Sequence, residues 1–447
     1  MRTIAAISTP KGKGGVSLIR ISGDDAVKIA EKVCSRPLAN VSPNKTVHTL
    51  FVQDGQAFDD GMATVFYAPK SFTGEDTVEL CCHGGLFVTQ KLLSAVFAAG
   101  AYQAGPGEFT RRAFQNGKMS LSQAEAVGGI IDAKSEKYLT VSLLQCTGSL
   151  SAKFTEMSEK LKFLIASVYA YIDYPDEDMT DVPAEELKAR LRELLSETEA
   201  LCKSHNYGKA ISEGVRTVIV GKPNTGKSAL LNLLAGEERA IVTDIAGTTR
   251  DVVKEQVKLG DLLLNLSDTA GLRETGDRVE QIGVRRSVEA LQSAELVFAV
   301  FDGSKELDSE DQEVIRLIKE SGKEAVTVCI MNKSDLGKVA VSPFCEAVSM
   351  SALNGVGVAE LEQIVREKLE IAEESDMGEI ITGARQFAAL SKVKAHLTDA
   401  LAALDGLTQD MAGLDMEQAL GALYEADGHE VSVEIVDEIF SHFCVGK

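Results

Sequence analysis

Apolar residues recur along this chain with periods that change from region to region. Over residues 1–118 they sit in short runs such as Val16-Ser17-Leu18-Ile19-Arg20-Ile21 and Thr77-Val78-Glu79-Leu80, with glycine-rich punctuation between them. That pattern predicts short strands and turns with one or two helices, an α+β region. From Ser120 to about Ile172 the period becomes helical: Leu150, Phe154, Met157, Leu161, Leu164, Val168 and Tyr171 advance by alternating steps of four and three, a stripe that buries one face of a long helix. The acidic stretch Tyr174-Pro175-Asp176-Glu177-Asp178 stops it. After Pro183 a second stripe runs through Leu187, Leu191, Leu194, Thr198 and Leu201, and a third, Leu390, Val393, Leu397, Leu401 and Leu404, lies far downstream. Helices therefore precede and follow an intervening segment, and the simplest arrangement packs them as one all-α domain into which that segment is inserted.

The segment itself, roughly Glu213 to Glu370, reads as α/β. Apolar runs at Val215–Val220, Leu262–Leu266, Ala325–Ile330 and Ala347–Val348 are strand candidates, and three of them are trailed directly by a polar motif. Ligands bind at that place, outside the carboxyl ends of the strands, in open α/β sheets. After the first run comes Gly221-Lys222-Pro223-Asn224-Thr225-Gly226-Lys227-Ser228, a G-x-x-x-x-G-K-[ST] phosphate loop leading into Ala229. Its glycines let backbone N–H groups turn onto phosphate oxygens, Lys227 reaches the β and γ phosphates, and the Ser228 hydroxyl faces Mg²⁺. Asp268-Thr269-Ala270-Gly271, Asn332-Lys333-Ser334-Asp335 and Ser351-Ala352-Leu353 follow in order. The set resembles the G motifs of the Ras-like GTPase superfamily, which implies that Asp335 pairs with the guanine N–H groups and that Asn332 helps hold the ring. A carboxylate placed for two guanine donors rejects adenine, so the expected nucleotide is GTP.

The 447 residues suffice for two or three domains, hence the expected division 1–118, 119–212, 213–371 and 372–447. No apolar run approaches the ~18 residues that span a bilayer, and Met1 to Ile7 lacks the features of a signal peptide, which predicts a cytoplasmic protein without membrane attachment. Eight scattered cysteines show no zinc spacing and read mostly as reduced core thiols. The net charge of −21 argues against simple nonspecific binding to nucleic acid. It is uneven: residues 1–118 hold 13 Lys+Arg against 10 Asp+Glu, which leaves 33 against 57 for the remainder. Anionic ligands are drawn to the first region or to a local patch, although a difference this mild is also ordinary surface variation.

Two further features refine the chemistry. Leu272 stands where Ras-type enzymes carry the glutamine that orients the attacking water, so another group must orient it. In Asp244-Ile245-Ala246-Gly247-Thr248-Thr249-Arg250-Asp251, Thr249 is the natural switch threonine. With Gly14-Gly15-Val16 leading to Arg20-Ile21-Ser22-Gly23, Ser71-Phe72-Thr73-Gly74-Glu75-Asp76, His83-Gly84-Gly85, Pro106-Gly107-Glu108-Phe109, Gln123-Ala124-Glu125-Ala126 and Phe443-Cys444-Val445-Gly446-Lys447, nearly the whole chain resembles the MnmE (TrmE) family of tRNA-modification GTPases. Cys82 before His83 and Val445 near the end depart from the family's usual glycine and isoleucine.

The resemblance implies an N-terminal α+β domain that dimerises and binds a tetrahydrofolate one-carbon carrier (5-formyl- or 5,10-methylene-tetrahydrofolate), and a helical domain holding a Ras-like GTPase domain. It implies the flavoprotein MnmG as partner in a heterotetramer, tRNA as substrate, and modification of C5 of the wobble uridine, of the carboxymethylaminomethyl or aminomethyl type. It further implies K⁺-dependent GTP hydrolysis, with Asn224, Thr243, Ile245 and Thr248 as K⁺ ligands, Ser228 and Thr249 serving Mg²⁺, and Glu280 as the acidic group that orients water. Asp244, Ala246 and Gly247 complete the switch loop around the nucleotide. Arg20, Glu79, Lys118 and Lys447 are carried over as folate ligands. Cys444 has two readings, a reactive thiol for the one-carbon chemistry or a small apolar packer. If it serves the folate site, the tail must reach an N-terminal domain, most easily that of a partner subunit. The competing function is a GTP-gated RNA-binding switch in ribosome assembly; it would require a KH-type domain or a second GTPase unit, neither of which the sequence offers.

Overall fold

The computed structural model describes residues 2–173, 184–237, 255–267, 290–338, 340–344, 346–371, 377–406, 409–429 and 431–446. They form two compact units, Met1–Gly128 with Asp427–Lys447, and Gly129–Ala426.

In the first unit a six-stranded sheet has the order β3-β4-β5-β2-β1-β6. Its strands are β1 (Ile4–Ile7), β2 (Val16–Ser22), β3 (Thr46–Gln53), β4 (Gln56–Phe66), β5 (Thr77–His83) and β6 (Tyr102–Gln103). The period of two decides which face is buried. Ile19 and Ile21 of β2 and Val78 and Leu80 of β5 enter a core closed by α1 (Ala26–Val33) and α2 (Leu86–Ala98). Arg20 and Glu79, one position out of phase, sit on the opposite face as cross-strand partners. A third helix, α3 (Glu108–Gln115), exceeds the one or two expected.

The helical run expected from Ser120 is divided into α4 (Leu121–Asp132), α5 (Glu136–Cys146) and α6 (Ser149–Asp173). Ser135 caps α5 by accepting from the Tyr138 N–H, which fixes the break. The three leucine stripes meet as expected. Leu150, Phe154, Met157, Leu161, Leu164 and Val168 of α6 share one core with Leu187, Leu191, Leu194 and Leu201 of α7 (Ala184–Ser212). Leu390, Val393 and Leu397 join them after a long excursion of the chain.

That excursion is a second six-stranded sheet, order β12-β11-β10-β7-β9-β8, from β7 (Val215–Val220), β8 (Glu255–Leu259), β9 (Leu262–Ser267), β10 (Leu296–Asp302), β11 (Thr327–Asn332) and β12 (Ala347–Ser349). Every pair but β8–β9 is parallel. The described helices of this segment include α8 (Lys227–Glu237), α9 (Ser309–Glu320) and α10 (Val358–Lys368). From β7 the chain builds β9 on one side and β10 on the other, so the order reverses at β7 and a crevice opens at its carboxyl end. β11 begins at Thr327 rather than Ala325, because Glu324–Val326 form a 3₁₀ turn.

The helices after this sheet are α11 (Ala384–Gly406), α12 (Gln409–Asp427) and α13 (Val433–Ser441). By packing, Asp427–Lys447 group with the N-terminal region, in a compact unit whose first stretch runs to Gly128. Val436 and Phe440 of α13 are buried against Leu121 and Ala124, with Phe114 and Phe443 alongside. No described helix is long and apolar enough to cross a membrane.

Candidate nucleotide site

β7 ends at Val220, and the next eight residues turn back into α8. Gly221 has φ of 154°, Asn224 of 63° and Gly226 of 98°, so three of the eight loop residues have positive φ. Gly226 could be no other residue, since a Cβ there would collide with the Asn332 side-chain nitrogen. Lys227, the first residue of α8, folds back over the loop. Its ammonium donates to the carbonyls of Gly221 and Lys222, both at 2.7 Å. Burial pulls the Lys227 pKa down from its ordinary value. An ammonium has three N–H bonds, so one remains for an incoming oxygen. Ser228 and Asn224 are exposed, while Thr225 is fully buried and donates its hydroxyl to the Lys222 carbonyl at 3.1 Å. Ala229 packs against the core below.

Asn332 ties this loop to two others. The side chain is 2% exposed. Its Nδ2 donates to the Thr225 carbonyl at 2.9 Å and its Oδ1 accepts from the Ala352 N–H at 2.9 Å. Its amide is thus spent on joining two loops of the crevice. Asp335 is exposed, and its Oδ1 accepts from the buried Ser351 hydroxyl at 2.6 Å, which fixes the carboxylate for donors arriving on its open side. Lys333, at φ of 65°, places its ammonium 2.7 Å from Asp302 Oδ2. Burial acts to raise the Asp302 pKa, but bonds from Lys333 and Ser304 outweigh it and hold the carboxyl below its ordinary range. Asp302 escaped the sequence reading, although Asp302-Gly303 follows the apolar run Leu296–Phe301 as the other motifs follow theirs.

Asn224 through Ala229, Asn332, Lys333, Asp335, Ser351 and Ala352 therefore converge at the crevice beyond β7. Thr243, Asp244, Ile245, Ala246, Gly247, Thr248, Thr249, Asp268, Thr269, Ala270, Gly271, Leu272 and Glu280 lie outside the described residues, as does Lys447.

In the other unit, Arg20 Nε and Nη2 both donate to Glu79 Oε1, at 3.0 and 2.8 Å. The guanidinium carbon lies 5.1 Å from the ring centre of Phe72 and 5.7 Å from that of Phe109. Both partners keep some exposure, 17% and 23% of the side chain. This is a carboxylate paired with a guanidinium that itself lies against two aromatic rings, of which Phe109 is fully buried. Lys118 is exposed and donates to the Pro69 carbonyl at 2.9 Å. The Cys444 thiol is exposed and free. Its segment docks on the N-terminal region of its own chain. The Gly107 N–H donates to the Cys444 carbonyl at 3.3 Å, Pro106 pairs with Val445, and Ser8 Oγ donates to the Gly446 carbonyl at 3.0 Å. Gly446, at φ of 101°, crosses Ile7 so closely that any Cβ would collide with its carbonyl. The tail thus lies against the N-terminal region of its own chain, where Gly107 and Gly446 permit the close approach.

The chain is similar to known proteins along nearly its whole length. Residues 121–444 match the family described as the MnmE helical domain, and residues 3–118 match that described as the GTP-binding protein TrmE N-terminus. The tRNA modification GTPase MnmE of Lactobacillus acidophilus is 42% identical over 100% of this chain and 98% of its own length. Its namesake from Thermotoga maritima is 41% identical over the whole of both chains.

Proposed function

Because this chain belongs to the MnmE family of tRNA-modification GTPases and is a GTP hydrolase, we propose that it uses GTP turnover in modifying C5 of the wobble uridine of certain tRNAs. The observation that carries the GTP half is Asn332, whose buried amide joins the loop after β7 to Ala352 and holds the phosphate and base ends of one crevice in register. Lys227 is assigned to the β and γ phosphates and Asp335 to the guanine edge. Ser228 with Thr249 would hold Mg²⁺, and Asn224 with Thr243, Ile245 and Thr248 would hold K⁺, and cations there offset charge growing on the phosphate oxygens. The exposed Ser228 hydroxyl at the start of α8 and the exposed, left-handed Asn224 fit those assignments. Glu280, in place of a glutamine at Leu272, is assigned to orienting the water.

The modification half rests on the family together with the Arg20–Glu79 pair. A pterin offers a row of donors that Glu79 can accept, and Phe72 and Phe109 back the Arg20 guanidinium that holds Glu79 in place. Arg20, Glu79, Lys118 and Lys447 are proposed to hold a tetrahydrofolate one-carbon carrier, with Cys444 beside it. The further partners proposed are a second copy through the N-terminal domain and the flavoprotein MnmG, working in the cytoplasm. Mass spectrometry of wobble nucleosides tests the whole reading. Cells lacking this protein should lose the C5-modified uridine and regain it with the native chain but not with Lys227→Ala. An unchanged nucleoside profile in the deletion strain would refute it.

A further inference from the structure

Lys222 occupies a variable position of the phosphate loop, and its side chain points away from the crevice. Its ammonium lies 2.5 Å from Asp308 Oδ2 and 2.7 Å from Asp311 Oδ2, with 17% of the side chain exposed. Both aspartates belong to the start of α9, where they form a reciprocal cap. Asp308 Oδ1 accepts from the N–H groups of Glu310 and Asp311, and Asp311 Oδ2 accepts from the Asp308 N–H at 3.1 Å. Asp311 is 2% exposed, and its Oδ1 is buried without a hydrogen-bond partner. An anion so buried needs its counter-charge. Burial works against the charge on Lys222, but the bonds to Asp308 and Asp311 outweigh it and raise the lysine above its ordinary value.

The main chain of the same residue is equally committed. The Lys222 carbonyl accepts from Lys227 Nζ at 2.7 Å and from Thr225 Oγ1 at 3.1 Å. One residue thus anchors α9 through its side chain and the phosphate-binding lysine through its backbone. We infer that Lys222, Asp308 and Asp311 form a positioning clamp that fixes the phosphate loop on α9 and presets Lys227 for the nucleotide. The inference rests on the reading of residues 221–228 as the loop that holds GTP phosphates. A loop already in its binding geometry loses less entropy when ligand arrives, so the clamp acts on affinity for ground and transition states alike.

The test compares Lys222→Ala, Lys222→Arg, Asp308→Asn and Lys227→Ala in the full chain, by equilibrium titration with a fluorescent GDP analogue and by steady-state GTP hydrolysis. Lys222→Ala should weaken nucleotide binding and raise KM by ~10-fold or more, with kcat within ~3-fold of native, because one member of a largely buried ion pair is lost. Lys222→Arg, which can reach both carboxylates, should restore most of the loss. Asp308→Asn keeps an effective cap but removes one charge, and should weaken binding by a smaller factor. It carries the test if Lys222→Ala does not fold. The opposite sign overturns the clamp: if Lys222 instead belonged to the phosphates, Asp308→Asn would free it and tighten binding. Native affinity in Lys222→Ala would overturn it as well. Lys227→Ala separates the two levels, since native binding by that variant removes the phosphate-loop reading and the clamp with it. Lost binding there beside native binding in Lys222→Ala removes the clamp alone.

Discussion

Replacing Asn332 should damage the nucleotide site far more than the loss of one side-chain amide suggests. The residue is 2% exposed and both ends of its amide are engaged, with the Thr225 carbonyl and the Ala352 N–H, each at 2.9 Å. Thr225 and Ala352 are themselves buried, at 0% and 5% exposure. Asn332→Ala therefore leaves two backbone groups unsatisfied where water has poor access, at ~1–3 kcal/mol each, or ~2–6 kcal/mol against the assembled crevice. Even the lower figure, expressed fully in binding, weakens GDP and GTP affinity by ~30-fold, since ~1.4 kcal/mol is tenfold. Asn332→Asp keeps the acceptor for Ala352 but turns a carboxylate oxygen toward the Thr225 carbonyl, so it should do at least as much harm despite its nearly identical shape. Competition titrations against a fluorescent GDP analogue, with thermal unfolding as a control for the fold, measure both. Affinity within threefold of native in either folded variant would refute the bridging role.

Three further expectations concern other parts of the chain. GTP turnover should be much faster in K⁺ than in Na⁺, with the difference lost in Asn224→Ala; equal native rates in matched chloride salts would remove the K⁺ assignment. Glu280→Ala should bind GTP normally but hydrolyse it ~10²-fold more slowly or worse, whereas normal turnover would make Glu280 an ordinary surface carboxylate. His205 stacks on Phe387 at 4.4 Å and faces the Ile381 carbonyl at 3.1 Å, and burial lowers its pKa. The folded state therefore favours the neutral ring. Its contribution is complete above the ordinary value of about 6.5 and declines as pH falls toward the lowered one, so melting temperature should fall over that window. His205→Phe should flatten that part of the profile, and an unchanged slope would contradict the assignment.

What the sequence made legible was local. Each strand of the second sheet that carries a motif announces itself as an apolar run ending in polar residues, so the crevice beyond β7 could be named before any geometry was known. The stripe from Leu150 to Val168 likewise reports one buried face directly. Pairings across long separations left no such trace. Lys222 meets Asp308 and Asp311, and Lys333 meets Asp302, only because the strand order places β10 beside β7 and β11. The spacing of Val436 and Phe440 signals an apolar helix face but not its partners, Leu121 and Ala124. The division at Ser135 was missed because a single capping serine is a weak signal inside a helical run.

The docking of α13 on Leu121 and Ala124 also bears on how the protein is made. The main core of the first unit comes from residues 5–101, but the smaller cluster around Leu121 needs the end of the chain, because Gly428 closes over Leu121 and Phe440 fills the space beside it. During synthesis that part leaves the ribosome first and waits, with apolar surface uncovered, until the helical and nucleotide-binding residues and then the last helix have emerged. Emergence of residues 433–441, rather than of residue 128, is thus the event that covers Leu121 and Ala124. A ribosome stalled after the nucleotide-binding residues but before α13 leaves a nascent protein whose GTPase segment can already be whole while Leu121 and Ala124 are still uncovered.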